Sequence, residues 1–121
     1  MPDQATTRVP EIPAELRSRY VDVLNMPWEQ LSEKSFRKIL YLDPVSGRQT
    51  WLSRILPGGV IPFHEHPELE QTFVLEGRLV DDEGECTAGN FVWRPAGSRH
   101  TARAPEGALF VAFFGKASRR L

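Results

Sequence analysis

The chain has 121 residues, 40% hydrophobic and 26% charged, with 15 basic and 16 acidic side chains and a net charge of −1. That is the balance of one soluble globular domain, without the basic face that nucleic acid requires. No stretch approaches the ~18 apolar residues of a membrane span or the apolar core of a signal peptide, and the lone cysteine points to a reducing, cytoplasmic setting.

Met1 to Pro13 is polar and proline-rich and reads as a flexible arm. Leu16, Tyr20 and Val23 recur at helical spacing, so one or two helical turns are expected between Pro13 and Leu24. Met26-Pro27-Trp28 ends them. From Phe36 onward, short β-prone runs alternate with Gly and Pro, the punctuation of a sandwich or barrel. Strands are expected near 35–42, 48–56, 60–66, 70–75, 77–81, 86–88, 90–94, 99–104 and 107–114. Asp43 to Gly47, Leu56 to Gly59 and Asp81 to Gly84 read as turns. Cys86, just past the last of these, reads as a packing or surface residue, with no dyad assignable to it. Lys116, Arg119 and Arg120 read as a solvated basic tail. No helix long enough for a parallel crossover appears, which argues against a doubly wound fold.

The chain's three histidines and one carboxylate fall into two spaced segments. The first is Gly58, five residues, His64-x-His66, three residues, Glu70, six residues, Gly77. The second is Gly89, five residues, Pro95-x-Gly97, two residues, His100. At average usage, the four glycines and one proline alone match by chance roughly once in 10⁶ registers. Strand alternation points His64 and His66 the same way. Pro67 favours a bend that returns Glu70 to the same centre. His100 must arrive from a distant strand. Three imidazoles and a carboxylate suit Fe(II), Mn(II), Co(II), Ni(II) or Zn(II) better than calcium or Cu(I). Four ligands on a six-coordinate ion leave two positions for substrate or O₂. Strand parity puts Val60, Pro62, Thr72 and Val74 on the ligand face, and Phe63, Phe73 and Leu75 on the other. Arg54 shares a face with Leu52 and Leu56 and is expected either to pair with an acid or to position an anionic substrate.

This paired pattern resembles the two motifs of the cupin superfamily. One position departs: the final Asn of the second motif is Ala104 here. The segment between the motifs, Arg78 to Ala88, is 11 residues, similar to the short microbial kind. Trp28, the Asp43 to Gly47 turn, Thr50 to Gly58 and Phe73 to Gly77 resemble the subgroup of ChrR-type anti-sigma factor cupin domains and acetylacetone-cleaving dioxygenases. The resemblance implies an all-β double-stranded β-helix, or jelly roll, usually a homodimer, with one metal in the lumen held by His64, His66, Glu70 and His100. Some related dioxygenases hold iron with histidines alone, which makes Glu70 a weak or outer-shell candidate. The expected organisation is an arm over 1–25, a cupin barrel over 26–115 and a basic tail over 116–121.

Two functions of different class follow from the resemblance. One is a mononuclear Fe(II) dioxygenase for a small carbonyl compound, of the β-diketone or hydroxyacetophenone type. The other is a stand-alone ChrR-like sensor or binding domain with a Zn(II) site. With no Cys or His in the ~25 residues before the barrel, it is not expected to be a complete anti-sigma factor. A metal-dependent isomerase is a further alternative, although no separate Lys or Arg cluster grips a sugar phosphate.

Overall fold

The structure, a computed structural model, describes residues 10–121. Residues 1–9 of the expected arm lie outside the described residues. The described residues form ten strands: β1 Glu29–Ser32, β2 Ser35–Leu42, β3 Gln49–Ile55, β4 Gly59–Glu65, β5 Glu70–Asp81, β6 Gly84–Thr87, β7 Phe91–Arg94, β8 Arg99–Ala104, β9 Ala108–Phe114 and β10 Arg119–Arg120. All pairings are antiparallel. One sheet runs β1-β2-β3-β9-β5-β7, and the other runs β10-β4-β8-β5-β6. The architecture is the expected all-β jelly roll.

β5 belongs to both sheets. Its first half pairs with β9 and β7, its second half with β6 and β8. The expected strands at 70–75 and 77–81 are therefore one strand, bent at a register shift between Val74 and Glu76 and at Gly77, whose φ is 71°. Gly77 marks a corner rather than an interruption.

Burial follows strand alternation. In β9, Ala108, Phe110, Ala112 and Phe114 face inward, and the intervening residues do not. They join Ile55, Val74, Leu79, Cys86 and Ala104 in the core, with Trp51, Ile61 and Val92 packed alongside. Cys86 is thus a packing residue, and burial raises its thiol pKa.

Of the one or two helical turns expected between Pro13 and Leu24, the segment holds one, the 3-10 turn Ala14–Leu16, and does not continue: Tyr20 is 96% exposed. Its helical spacing has no surface to pack against, and packing supplies most helix stability. β1 went unread because Glu-Gln-Leu-Ser carries no β-prone alternation; it forms as the partner of β2. Arg119 and Arg120 stay exposed, as a solvated tail would, yet they form β10 against β4. No helix among the described residues is long and apolar enough to cross a membrane.

Candidate metal centre

β4 and β8 lie side by side with His64 directly opposite His100. Directly opposed residues share a sheet face, so both imidazoles enter the lumen together. His66, just past the end of β4, is fixed by backbone: its N–H donates to Ser98 O (2.9 Å) and its carbonyl accepts from Gly97 N (2.7 Å). The Pro95 to Ser98 turn thereby ties the first histidine pair to the strand carrying the third. Ala104, standing where the second motif has Asn, is fully buried, and its carbonyl accepts from the N–H of both Gly58 and Gly107. The backbone closes that turn without an Asn side chain.

His64, His66 and His100 each offer one nitrogen, and these lie within 4.8 Å of one another, an array able to hold a metal ion. The second nitrogen of each ring is committed elsewhere. His64 Nδ1 is 2.7 Å from Pro62 O, His66 Nδ1 is 3.2 Å from Glu70 Oε2, and His100 Nδ1 is 2.8 Å from Asp81 Oδ2. A carbonyl and two ionised carboxylates can only accept, so every Nδ1 carries the donated proton. Every Nε2 is then left with a bare lone pair. His66 Nε2 and His100 Nε2 face each other at 3.1 Å. Two lone pairs at that distance repel. A first-row ion about 2.0–2.1 Å from each nitrogen fits between them. The donor set and its tautomers therefore suit a divalent transition metal.

Charge states agree. Burial pushes the His100 imidazole down to about 4, despite the opposing pull of Asp81. Burial is also the main cause of lowering at His64. Burial acts to raise the carboxyls of Glu70 and Asp81. The hydrogen bonds from His66 and His100, with the nearby Arg94 charge, outweigh it and hold both below the ordinary carboxylate range. Neutral imidazoles beside ionised outer carboxylates are what metal binding at neutral pH requires.

Glu70 thus stands beside His66, with Thr72 Oγ1 donating to its other oxygen at 3.4 Å. Asp81 is the group that reading the sequence as a hairpin tip missed. Its Oδ1 accepts the N–H groups of Glu83 and Gly84, forming that turn, while Oδ2 holds His100 and meets Arg94 Nη1 at 2.8 Å. An Asp two or three residues before a turn Gly is so common that its second task carried no separate signal.

His64, His100 and Glu70 stand in the wall of a cavity of about 450 Å³. Thr72 and Val74 face inward and Phe73 and Leu75 outward, as expected. On β4 the expected parity fails. A bulge between Ile61 and His64 makes Ile61, opposite buried Ala102, the residue sharing the histidine face. Val60 and Pro62, expected on the ligand face, are exposed, while Phe63 is about half exposed, in keeping with its expected outward face. Arg54 pairs with Glu76 at 3.3 Å, the acid-paired alternative.

The ChrR Cupin-like domain family model matches residues 16–118. No curated protein matches the chain. Among solved structures, a candidate acetylacetone dioxygenase of Methylibium petroleiphilum PM1 superposes with a TM-score of 0.80 at 18% identity, over 92% of this chain and 85% of that one. An acetylacetone dioxygenase of Acinetobacter johnsonii gives 0.69 at 17% identity, over 89% and 78%. The complex of SigE with the anti-sigma ChrR from Rhodobacter sphaeroides gives 0.67 at 25% identity, over 74% of this chain and 50% of that one.

Proposed function

From a chain that belongs to the ChrR Cupin-like domain family, we propose a mononuclear Fe(II) dioxygenase acting on a small carbonyl compound of the β-diketone or hydroxyacetophenone type. The observation that carries this reading is the convergence of three proton-free Nε2 atoms beside a cavity whose wall includes His64 and His100. His64, His66 and His100 are the ligands, and Glu70 orients His66 from its Nδ1 side, outside the three-imidazole cluster. The bound ion would supply Lewis acidity, lowering the pKa of a carbonyl compound's acidic C–H or enol, and a site for O₂. Pro62, Glu70 and Asp81 hold the three imidazoles in their donating tautomer. Ile61, Leu79, Ala102 and Phe110 give the cavity an apolar wall that limits water. Glu70 is the one carboxylate among the described residues lining it, so it is the group at hand for a proton released on enolisation.

The test is oxygen uptake. Protein loaded anaerobically with Fe(II) and given a panel of β-diketones and hydroxyacetophenones is expected to consume O₂ above the metal-free protein. No uptake across the panel overturns the reading. The family match also favours a second reading, a ChrR-like binding domain holding Zn(II). Zinc retained through purification, with a stoichiometric regulator copurifying and no O₂ uptake, would select it.

We also propose a homodimer formed through the outer face of the first sheet. Trp93, Phe91, Phe113, Leu75 and Phe73 are 60%, 49%, 45%, 44% and 40% exposed. Strand register makes them neighbours, with Gln71 between Trp93 and Phe113 and Phe73 opposite Phe91. Side chains of this size present on the order of 500 Å² of apolar surface, a large share of the ~800 Å² a stable interface takes from each partner. The double variant Trp93→Glu/Phe113→Glu is expected to run as a monomer by light scattering where the wild type is a dimer. A monomeric wild type, or an unaffected variant, rejects this interface.

A further inference from the structure

The charges of the cavity wall bear on what enters it. Among the described residues lining the cavity are four arginines, Arg37, Arg54, Arg94 and Arg120, against one acid, Glu70. Three of the four are answered by acids: Arg37 by Glu29, Arg54 by Glu76 and Arg94 by Asp81. Arg120 has no acidic partner among the described residues.

The register of β10 sets where Arg120 stands. Arg119 lies opposite Glu65, and Arg120 opposite His64. Arg120 therefore shares the face of His64 and lines the cavity from its solvent-exposed rim, while Arg119 takes the outer face. There Arg119 grips Glu65, which also holds Arg99. The Leu121 N–H donates to Phe63 O at 3.2 Å. The strand is thus pinned from outside, and the guanidinium on its inner side is left unanswered. Ser118, two residues earlier, lines the same cavity and adds a hydroxyl donor.

The buried charges point the same way. Glu70, Asp81 and Arg94 together carry one negative charge, and a divalent cation on the imidazoles would turn that into one positive charge. Such a lumen favours a monoanion, and Arg120 adds a further positive charge beside it. A neutral diketone offers that guanidinium nothing, whereas a carboxylate meets it with paired hydrogen bonds.

We propose that the cavity takes a small β-oxo acid, its carbonyl toward the imidazoles and its carboxylate held by Arg120. This inference rests on the metal-dependent reading above and narrows its substrate class. Its test separates binding from oxygen chemistry. Protein loaded with redox-inert Zn(II) is titrated calorimetrically with acetoacetate and with methyl acetoacetate, which keeps the skeleton and loses the charge. The acid is expected to bind at least about tenfold more tightly than the ester, a difference of about 1.4 kcal/mol. Arg120→Gln should abolish that preference and Arg120→Lys should keep most of it, while added salt weakens the acid alone. Equal affinities, no binding of acetoacetate at millimolar concentration, or a preference that survives Arg120→Gln overturns the inference. Any of these leaves the iron reading to its own oxygen test. Failure to hold zinc in stoichiometric amount overturns both.

Discussion

His100→Ala is expected to strip the protein of stoichiometric metal while leaving it folded. His100 stands opposite His64 in the β4/β8 ladder, and its Nε2 faces that of His66 at 3.1 Å. Removing it leaves two imidazoles, both on one chain segment, and no donor from the facing strand. Asp81→Asn is the informative comparison. An Asn can turn its amide N–H toward His100 Nδ1, which favours the opposite tautomer and spoils the Nε2 lone pair. Loss of an outer partner of this kind costs about 10–100-fold in metal affinity, so His100→Ala should cost more. The metal-free His100→Ala variant loses the His100 donor to Asp81, so it should melt somewhat below the metal-free wild type while remaining folded. Metal content after dialysis, chelator competition and melting temperature check all three statements. A His100→Ala protein that keeps one metal at wild-type affinity removes His100 from the centre.

The sequence made the histidines legible because their spacing reports geometry directly. An x between two histidines on a strand means one face, and a Pro-x-Gly turn three residues before His100 delivers it. The four motif glycines, Gly58, Gly77, Gly89 and Gly97, all adopt positive φ. What stayed hidden were features set by partners. The bulge at Ile61 to His64 inverts the expected side-chain parity, and strand alternation carries no mark of an inserted residue. Arg119 and Arg120 look like a solvated tail until Glu65, on the outer face of β4, is seen to hold Arg119. The residues from Leu16 to Val23 have helical spacing without an apolar surface opposite them. Glu70 illustrates a further limit. Its position within the first motif is plain, but which atom it meets depends on where His66 Nδ1 points, and no spacing encodes that.

Gly77→Ala is expected to destabilise the protein by roughly 3 kcal/mol or more, the sum of left-handed backbone strain of about 1–2 kcal/mol and a backbone collision. At Gly77 φ is +71°, and a Cβ there would run into the carbonyl of Gly107, itself at φ +84°. Neither backbone can yield freely. Gly77 turns β5 from one sheet into the other, and the Gly107 carbonyl accepts the N–H of Arg78. Gly89→Ala separates the two contributions, because Gly89 has φ +84° with nothing within 4 Å of an added Cβ. It should lose only the strain. For a domain of this size the expected melting temperatures fall by about 10–15 °C for Gly77→Ala and by about 5 °C for Gly89→Ala. The larger loss should also reach the metal centre, because β5 carries Glu70 at one end and Asp81 at the other, the outer partners of His66 and His100. Weakened metal retention in folded Gly77→Ala, with normal retention in Gly89→Ala, is the expected pair of results. Equal melting shifts for the two variants would mean that the corner relaxes around a methyl group, and that Gly77 is needed for its φ alone.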